Sequence, residues 1–375
     1  MKKVSIVGAG NGGIFTALYS AWYGQDEVEL IYNPEIPPER VGQATLLDPP
    51  RMLWNATGFD WYHNQINATF KSGILYEGWG QVNDKVFHAF PADGMAMHYC
   101  PWEMQKHVLN SGVFKVVEGD VDDINSIDSD LIFDCRGKPD DYSEYEELIN
   151  PINACILGKP KWNVSEAFWS RHVATPDGWT FVIPTHKKSP SHQYSVGYCY
   201  NSDITKKEVA EYNFLEMFNV EVTSHVEYKN YVAKEPIIDG RIFKNGNRLF
   251  FLEPLESSST QAYIEMARGV FDYYLQEKCT AEYVAQDIKK YINELKNFVL
   301  WHYQFGSKYD TPFWDYANTF RFDDPTFDKF LGYSTISDCI PTTKYGGGTQ
   351  DKFYGQWPPY YFKVWDEGMR TKLNT

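Results

Sequence analysis

Residues 3–24 read KVSIVGAGNGGIFTALYSAWYG, an apolar run followed by glycines and then by a segment of helix-forming residues. Gly8, Gly10 and Gly13 give the spacing G-x-G-x-x-G. In a strand–turn–helix unit, the first glycine permits the tight turn, the second lets a pyrophosphate approach the backbone, and the third lets helix and strand pack closely. The helix N-terminus also attracts an anion, because its backbone N–H groups are unpaired. The stretch therefore predicts the first unit of a dinucleotide-binding α/β domain.

This unit is expected to contain a strand over residues 4–7 and a helix from about residue 14 to residue 23. The runs EVELIY at 27–32 and DLIFDC at 130–135 predict two further buried strands of the same sheet. A carboxylate usually follows the second strand and binds a ribose. Tyr32 stands at that place, so the residue that contacts the ribose stays open.

An aromatic run, DGWTFVIPT, lies in the middle of the chain. It places Trp179, Phe181 and Ile183 at alternate positions, and alternate residues of an extended segment share one face. Pro184 lacks an N–H group and ends the strand. These side chains would form one apolar wall, and an ordinary core strand is the competing interpretation. The aromatic and valine-rich sequence over residues 178–233 predicts antiparallel strands.

The last part of the chain is expected to be helical and aromatic. Residues 282–303 have apolar side chains at helical spacing, which predicts an amphipathic helix. KYGGGTQ at 344–350 is a candidate loop, and it is no phosphate-binding P-loop, because no Lys-Ser/Thr pair follows it. FYGQWPPYYFKVW at 353–365 offers aromatic rings and few charges.

The composition narrows the classes of function. The 375 residues carry a formal net charge of −15, which argues against binding to nucleic acid or to an anionic membrane. No apolar run is long enough to cross a membrane, and MKKVSIVGAG passes into glycines too early for a signal peptide. The chain is therefore expected to be cytoplasmic.

Cysteine and histidine spacing predicts no metal site and no disulfide framework. The histidines form no H-x-x-x-H pair and the cysteines form no C-x-x-C pair. Scattered cysteines suit a reducing compartment. The six cysteines are Cys100, Cys135, Cys155, Cys199, Cys279 and Cys339.

Two short stretches contain side chains that suit chemistry. Lys71 lies in NATFKSGILYEGW, among apolar and uncharged polar residues. A lysine buried there would have a lowered pKa, whereas an ordinary lysine is solvated. In LEPLESSST at 252–260, the hydroxyl residues at 257–260 are good N-caps, and the start of the following helix makes an anion site beside Glu256. An ordinary capped helix is the competing interpretation of this second stretch.

Four stretches resemble the flavin-dependent tryptophan halogenase family, and they occur in the family's order. They are GAGNGG at 8–13, NATFK at 67–71, GWTFVIP at 178–184 and FLEPLES at 251–257. Weaker similarity is present in VGQAT at 41–45 and HYQFGSKYDTPFW at 302–314. The resemblance therefore spans most of the chain.

The resemblance implies an α/β protein with a FAD/NAD(P)-binding, Rossmann-like three-layer fold, an antiparallel sheet on the substrate side and a small C-terminal helical cap. Residues 1–281 would form the FAD-binding module with the substrate-side sheet, and residues 282–375 the helical substrate cap and tail. Phe181 stands where the family has a second tryptophan, and Gln43 where it usually has glutamate. Ser258 and Ser259 stand where the family has Thr-Gly, and this difference leaves the halide preference open.

By the same resemblance, Lys71 is the catalytic lysine and Glu256 the catalytic glutamate. The other implied roles are FAD binding by Gly8, Gly10, Gly13, Gln43, Ala44 and Leu255, halide binding by Ser257, Ser258 and Ser259, and a barrier between flavin and substrate made of Trp179, Phe181, Ile183 and Pro184.

The implied reaction begins when reduced FAD and O2 form a C4a-hydroperoxide, which halide attacks to give hypohalous acid. The wall would keep the substrate from the flavin. Lys71 would hold or activate the electrophile, and Glu256 would orient it and accept the ring proton. A separate flavin reductase would supply reduced FAD, because the sequence contains no second nucleotide fingerprint. Two alternatives stay open: a flavin-dependent aromatic monooxygenase that hydroxylates its substrate, and a non-catalytic FAD-binding protein.

The short stretch of chain after Glu256 predicts an open, aromatic-lined pocket that accepts several small electron-rich arenes, with free tryptophan a poor substrate. In such a pocket the reactivity of the ring decides the outcome. Bromide and iodide are therefore expected to serve as well as chloride or better. The native substrate and its regioselectivity stay open, and so does the formation of a homo-oligomer.

Overall fold

The computed structural model describes residues 2–23, 27–90, 96–321, 324–331 and 354–370. The predicted loop at 344–350 and Cys339 lie outside these residues. Numbered in chain order, the strands are β1 (Lys3–Val7), β2 (Glu27–Tyr32), β3 (Gln43–Ala44), β4 (Thr69–Lys71), β5 (Gly73–Glu77), β6 (Lys85–Ala89), β7 (Ala96–Tyr99), β8 (Lys115–Glu118), β9 (Leu131–Asp134), β10 (Tyr145–Glu147), β11 (Ala154–Pro160), β12 (Ser170–Thr175), β13 (Gly178–Val182), β14 (Val196–Tyr200), β15 (Val220–Glu227), β16 (Tyr231–Ala233), β17 (Ile237–Ile238), β18 (Ile242–Lys244) and β19 (Phe250–Phe251). The helices are α1 (Asn11–Tyr23), α2 (Asp48–Thr57), α3 (Pro101–Leu109), α4 (Lys207–Met217), α5 (Ser259–Arg268), α6 (Ala281–Tyr303), α7 (Pro312–Ala317), α8 (Pro325–Leu331) and α9 (Pro359–Arg370).

The first sheet has six strands in the order β17-β18-β9-β1-β2-β8. Every neighbouring pair except β17 and β18 is parallel. The strands predicted at 4–7, 27–32 and 130–135 are therefore confirmed as parts of one sheet. Parallel strands need crossover connections, and helix α1 makes the connection from β1 to β2.

Helix α1 begins at Asn11, earlier than the predicted start near residue 14. Glycine is a poor helix former, yet Gly13 lies inside the first turns of the helix. A Cβ atom on Gly13 would lie 1.8 Å from the carbonyl oxygen of Gly8. Close packing of the helix on the turn therefore requires glycine there and outweighs its low helix propensity.

The second large sheet has seven strands in the order β15-β11-β14-β13-β12-β5-β6. Its pairs are antiparallel except for β12 and β5, which confirms the antiparallel strands predicted within 178–233. The last of those segments, β16, belongs instead to a small sheet in the order β10-β16-β19. In another small sheet, β3-β7-β4, strand β7 lies between the strand of Gln43 and Ala44 and the strand that ends at Lys71.

The amphipathic helix predicted at 282–303 is confirmed as α6, Ala281–Tyr303. One apolar core includes Val270 and Phe271 before this helix and Leu295 and Phe298 within it. The division of the chain at residue 282 stays a prediction, and part of the predicted cap lies outside the described residues. Among the helices that the structure describes, none combines the length and the apolar character that crossing a membrane requires.

Candidate active site

A cavity of about 240 Å³ lies between the seven-stranded sheet and the residues around β3. Gln43 and Ala44 line one side of it, together with Ser257 and Ser259 at the start of α5. Side chains from neighbouring strands line the other side: Ser170, His172, Phe181, Cys199, Cys155, Leu157, Val226 and Tyr228. An apolar face opposite a polar edge is typical of sites for flat organic ligands.

The glycine turn lies beside this cavity, which Asn11 also lines. Gly8 has a φ of +104°, and a Cβ atom on it would lie 2.4 Å from the carbonyl oxygen of Cys135. In the described structure, a Cβ atom on Gly10 would meet no atom within 4 Å. The fold therefore requires glycine at Gly8 and Gly13, whereas Gly10 leaves open space at the start of α1.

Two consecutive residues before α5 have left-handed backbone conformations, Glu256 with φ of +69° and Ser257 with φ of +55°. Such conformations are strained for residues other than glycine and cluster at functional sites. Ser257 lines the cavity, whereas its neighbour Glu256 is fully buried and does not line it.

The expected capping of α5 by a hydroxyl group is wrong. Ser258 stands at the N-cap with helical backbone angles and makes no capping bond with its side chain. Its Oγ atom and that of Thr260, Oγ1, are buried and have no hydrogen-bond partner among the described residues. Because buried polar groups are normally paired, these two hydroxyl groups are free to bind a ligand atom.

Lys71, the last residue of β4, is fully buried. The alternative that it is an ordinary, solvent-exposed lysine is therefore excluded. Its Nζ atom donates to Ser257 Oγ at 2.9 Å and to the carbonyl oxygen of Thr45 at 3.3 Å. It also lies 5.0 Å from the centre of the Phe90 ring. Burial lowers the pKa of Lys71 to about 7, although the charge of Glu256 raises it in part. The amine is therefore linked through Ser257 to the cavity and can be neutral near pH 7.

Glu256 is also fully buried, and donors from four separate segments of the chain surround its carboxylate. Oε1 accepts from Tyr76 and lies 3.3 Å from His88 Nδ1 and 3.1 Å from His302 Nε2. Oε2 accepts from the indole Nε1 of Trp357 at 3.2 Å. Burial alone raises the pKa of Glu256, but the charges and hydrogen bonds of His88 and His302 outweigh it and hold the pKa well below its usual range.

The hydrogen atoms of His302 follow from its partners. Its Nδ1 atom lies 2.7 Å from the carbonyl oxygen of Phe298, which can only accept, so Nδ1 carries a hydrogen. Its Nε2 atom faces Glu256 Oε1, and two lone pairs would repel each other there. Nε2 and Oε1 are 3.1 Å apart, so a hydrogen bond joins His302 and Glu256.

The predicted wall divides into two parts. Phe181 and Ile183 line the cavity, whereas Trp179 is fully buried beyond them. The Nε1 atom of Trp179 donates to Glu253 Oε2 at 2.9 Å, and the hydroxyl group of Tyr303 donates to the same oxygen at 2.7 Å. Burial raises the pKa of Glu253 to about 7, because these hydrogen bonds lower it only in part.

Aromatic side chains from the last described segment pack around Glu256, and the open substrate pocket stays a prediction. The ring of Trp357 stacks on Phe298 with centres 4.0 Å apart. In α9, Trp365 lies 4.4 Å from the ring of Tyr76, and Tyr361 contacts His88. These three aromatic residues therefore pack against Glu256 and two of its partners.

The structure places the residues predicted for the site at three depths. Lining the cavity are Gln43, Ala44, Ser257, Ser259, Phe181 and Ile183. Buried behind its surface are Leu255, Ser258 and Trp179. The carbonyl oxygen of Pro184 accepts a hydrogen bond from Thr69 in β4. Neither Lys71 nor Glu256 lines the cavity, and Lys71 reaches it through its hydrogen bond to Ser257.

Sequence reasoning missed the partners of Glu256, which are Tyr76, His88, His302 and Trp357. His302 opens the stretch HYQFGSKYDTPFW, so a histidine inside a family-like stretch was the available signal. The only sequence signal at Tyr76 and His88 was that each lies in a short segment of alternating apolar and polar residues, which is typical of a strand.

A family model described as tryptophan halogenase matches residues 3–113 and 113–335. Tryptophan 7-halogenase RebH of Lentzea aerocolonigenes is 20% identical over 441 residues, covering 89% of this chain and 82% of RebH. The structure of MibH, a tryptophan 5-halogenase, aligns with a TM-score of 0.79 at 17% identity, over 100% of this chain and 86% of MibH. A tryptophan halogenase from Shewanella frigidimarina aligns with a TM-score of 0.76 at 15% identity, over 100% of this chain and 90% of that one. At these identities the structural similarity shows the fold alone.

Proposed function

Because the chain belongs to the tryptophan halogenase family and is a flavin-dependent halogenase, we propose that it transfers a halogen from halide to a small, electron-rich aromatic ring. The observation that carries this proposal is the hydrogen bond from buried Lys71 to Ser257, which lines the cavity. This bond connects a cavity where an oxidant can be made to an amine that can carry it.

The residues around the cavity fit FAD. The open space at Gly10 and the N-terminus of α1 suit a pyrophosphate. The apolar sheet face suits a flavin ring, with Gln43 and Ala44 on its other side, Leu255 behind them, and the unpartnered hydroxyl of Thr260 as a donor. When bound, reduced FAD supplies the electrons with which O2 converts halide into an electrophile.

Halide binding is proposed at residues 257–259. Ser259 lines the cavity, Ser258 has an unpartnered buried hydroxyl group, and backbone N–H groups at the start of α5 favour an anion. The cost of burying an ion falls as its radius grows. A closed site of this kind therefore favours bromide and iodide over the more strongly hydrated chloride.

Lys71 is the proposed carrier of the electrophile. Near pH 7 both forms of its amine are present, because its pKa is about 7. The ammonium form can donate a hydrogen bond to hypohalous acid, and the neutral form can take the halogen on nitrogen. In either form, Nζ must turn from Ser257 towards the substrate ring.

Glu256 is the proposed acceptor of the ring proton. When the C–halogen bond forms, the C–H bond at the same carbon breaks and its proton needs a base. Oε1 already accepts from Tyr76 and is hydrogen-bonded to His302, so Oε2 is the atom available to accept. Trp357 must therefore give up its bond to Oε2 before the substrate can use that oxygen.

The substrate and the source of electrons complete the proposal. A small phenol, aniline or indole can replace the ring of Trp357 at Glu256, whereas free tryptophan also needs partners for its two charged groups and is proposed to be a poor substrate. A separate flavin reductase would supply reduced FAD by diffusion. The cytoplasm, where such a reductase works, is the proposed location.

The test is a competition assay with mass-spectrometric detection. Equimolar free tryptophan, phenols, anilines and indoles are incubated with the protein, reduced FAD, O2 and each halide in turn. We expect halogenated arenes, most with bromide or iodide, and little halogenated tryptophan.

Two other results would redirect the proposal. Halide-independent hydroxylation would identify an aromatic monooxygenase instead. Regioselective chlorination of free tryptophan alone would contradict the proposed substrate class and leave the halogenase activity standing.

A further inference from the structure

Two cysteines lie side by side in the flavin cavity. Cys155 of β11 and Cys199 of β14 are direct partners across an antiparallel pair of strands. Their Sγ atoms are 3.7 Å apart, and both side chains line the cavity. The reaction proposed above uses neither of them.

The backbone geometry suits a bond between these sulfurs. Directly opposite residues of an antiparallel pair have Cα atoms about 4.5–5.5 Å apart, which falls within the range of about 4.4–6.8 Å that disulfides span. The sulfurs need to approach each other by roughly 1.7 Å to reach bonding distance. A small side-chain rotation is enough for that, so no strand has to move.

The position of the pair decides which oxidant it meets. Cys199 is also the cross-strand partner of Trp179. Hypohalous acid that does not pass the wall therefore stays in the compartment that Cys155 and Cys199 line. Of the side chains on the sheet face of this cavity, thiols are the ones that accept an electrophilic halogen most readily.

We propose that Cys155 and Cys199 are a redox-active thiol pair that destroys hypohalous acid left on the flavin side of the wall and becomes a disulfide in doing so. This proposal rests on the proposed function for its oxidant. The pair would protect the flavin and the wall from halogenation.

The two steps balance. The sulfur of Cys155 takes the halogen from hypohalous acid, and the hydroxide that leaves combines with the thiol proton to give water. The sulfur of Cys199 then attacks that of Cys155, so that the S–S bond forms and the S–halogen bond breaks, releasing halide and a proton. The halogen gains two electrons, and each sulfur loses one.

The order of the steps follows from the hydrogen bond between the thiols. The S–H group of Cys199 donates to the sulfur of Cys155. Burial, and then this hydrogen bond, raise the pKa of Cys199 well above its usual range. Cys155 is also the more exposed of the two, at 6% against 1%. Cys155 is therefore the sulfur that reacts first, and Cys199 is the one that closes the disulfide.

The experiment uses the FAD-loaded protein and intact-mass measurement with peptide mapping. In one sample, one equivalent of hypobromous acid is added directly. In a second sample, reduced FAD, O2, bromide and catalase are supplied with a limiting amount of arene, and halogenated product is measured in parallel. A third sample omits bromide. We expect a loss of two hydrogens mapped to Cys155 and Cys199 in the first two samples, several-fold more than in the third.

Three variants control the assignment. Cys100→Ser removes a buried thiol outside the cavity and should leave disulfide formation unchanged. Cys155→Ser and Cys199→Ser should form no disulfide and should add oxygen to the remaining thiol instead. If either variant fails to fold, the mapping of the parent protein still decides.

Each outcome has one meaning. Absence of the disulfide after direct addition of hypobromous acid, or oxygen addition to either thiol in its place, would overturn the thiol pair. A disulfide on direct addition, with halogenated product but no disulfide during turnover, would overturn its protective role. A disulfide on direct addition with neither product nor disulfide during turnover would instead refute the proposed function that supplies the oxidant.

Discussion

The indole nitrogen of Trp357 donates a hydrogen bond to Oε2 of Glu256 across 3.2 Å, although 101 positions separate the two residues. Oε2 is the oxygen that the proposed reaction needs, because Oε1 is occupied by donors from other elements. An aromatic substrate must therefore displace the ring of Trp357 before its proton can reach Glu256. The family match ends at residue 335, so this contact comes from a part of the chain beyond it.

Replacing Trp357 should ease the access of a substrate to Glu256 and at the same time make the protein less stable. Trp357→Ala removes the ring beside Glu256, so we expect a lower KM for bulky phenols and indoles. The same change should lower the free energy of unfolding by about 3–5 kcal/mol, as for other buried large aromatic residues. Trp357→Phe keeps an aromatic ring of smaller size and loses the N–H group, so it is the conservative control. A folded Trp357→Ala variant with an unchanged KM for every arene would show that this ring does not cover the substrate site.

Gly10 and Gly13 should respond differently to the same substitution. Gly10→Val places a side chain in open space, so the protein should still fold. The side chain should, however, block the pyrophosphate and weaken FAD binding by about tenfold or more, which corresponds to about 1.4 kcal/mol of binding free energy. Gly13→Val drives a side chain into the backbone of Gly8 and should lower the stability by about 1–3 kcal/mol or more. Flavin fluorescence titration and urea unfolding measure the two effects. Tight FAD binding by Gly10→Val would place the pyrophosphate elsewhere.

Lys71 should be needed for the product and not for flavin oxidation. Lys71→Met removes the amine, so halogenated product should fall by about 10²-fold or more, while reduced FAD and O2 are still consumed. The exposed Lys115→Met, whose side chain pairs with Glu29, should leave both unchanged. Oxygen uptake and mass spectrometry measure the two processes. Product formation by Lys71→Met at the parent rate would remove Lys71 from the mechanism.

The same variant should be more stable than the parent protein, because burial holds the pKa of Lys71 at about 7 instead of 10.5. Below pH 7 both the folded and the unfolded protein bind the proton, and the folded state bears the full cost of the buried charge. Between pH 7 and 10.5 the folded protein has released that proton while the unfolded protein still binds it. The destabilisation caused by the buried charge therefore shrinks as the pH rises. The gain in stability from Lys71→Met should therefore be largest near pH 6 and shrink towards pH 10 in urea unfolding. A gain that does not depend on pH would contradict the buried-charge explanation.

Glu256→Gln should abolish proton acceptance and keep the shape of the side chain. The amide has one acceptor atom where the carboxylate has two, so it cannot serve Tyr76, His302 and the substrate together. We expect turnover to fall by about 10²-fold or more with FAD affinity retained, because Glu256 lies outside the cavity lining. Single-turnover product measurement checks the first result and flavin titration the second. Parent-like turnover would leave Glu256 as a structural residue.

Glu253 should control the position of Trp179. Glu253→Ala leaves two buried donors, those of Trp179 and Tyr303, without an acceptor, at a cost of about 1–3 kcal/mol each. A displaced wall should let hypohalous acid escape, so free hypohalous acid should rise relative to halogenated product. Glu253→Gln keeps an acceptor oxygen and should behave like the parent protein in this ratio. An unchanged ratio in Glu253→Ala would show that the wall does not depend on this carboxyl group.

The pH dependence of stability offers a second measurement on Glu253→Gln. Because the pKa of Glu253 is raised to about 7, the folded state keeps its proton between pH 4.5 and 7 while the unfolded state loses it. This group therefore makes the parent protein less stable as the pH rises through that range. Glu253→Gln cannot titrate, so its unfolding free energy should fall less over the same interval than that of the parent protein.

The parts of the structure that could be predicted from the sequence are those that depend on local pattern. The glycine spacing identified the turn before α1, and helical spacing of apolar residues identified α6 within one residue of its start. Lys71 and Glu256 followed from short family-like stretches. In each case the residues that carry the signal are neighbours in the chain.

The parts that could not be predicted depend on packing between distant segments. The number of residues after Glu256 gave no indication that the rings of Trp357 and Trp365 pack against Glu256 and its partner Tyr76. Serine at the start of α5 indicated a cap, but the left-handed turn at Glu256 and Ser257 changes how the chain enters the helix. No local propensity contains information on either arrangement.

The hydrogen bond between Glu256 and Trp357 also implies an order in which the parts of the site form during protein synthesis. A ribosome adds Trp357 101 residues after Glu256, long after both large sheets have their strands. A nascent chain can therefore assemble the flavin cavity while Glu256 still lacks its last partner. Closure of the space beside Glu256 by Trp357 is therefore a late step in the formation of the site.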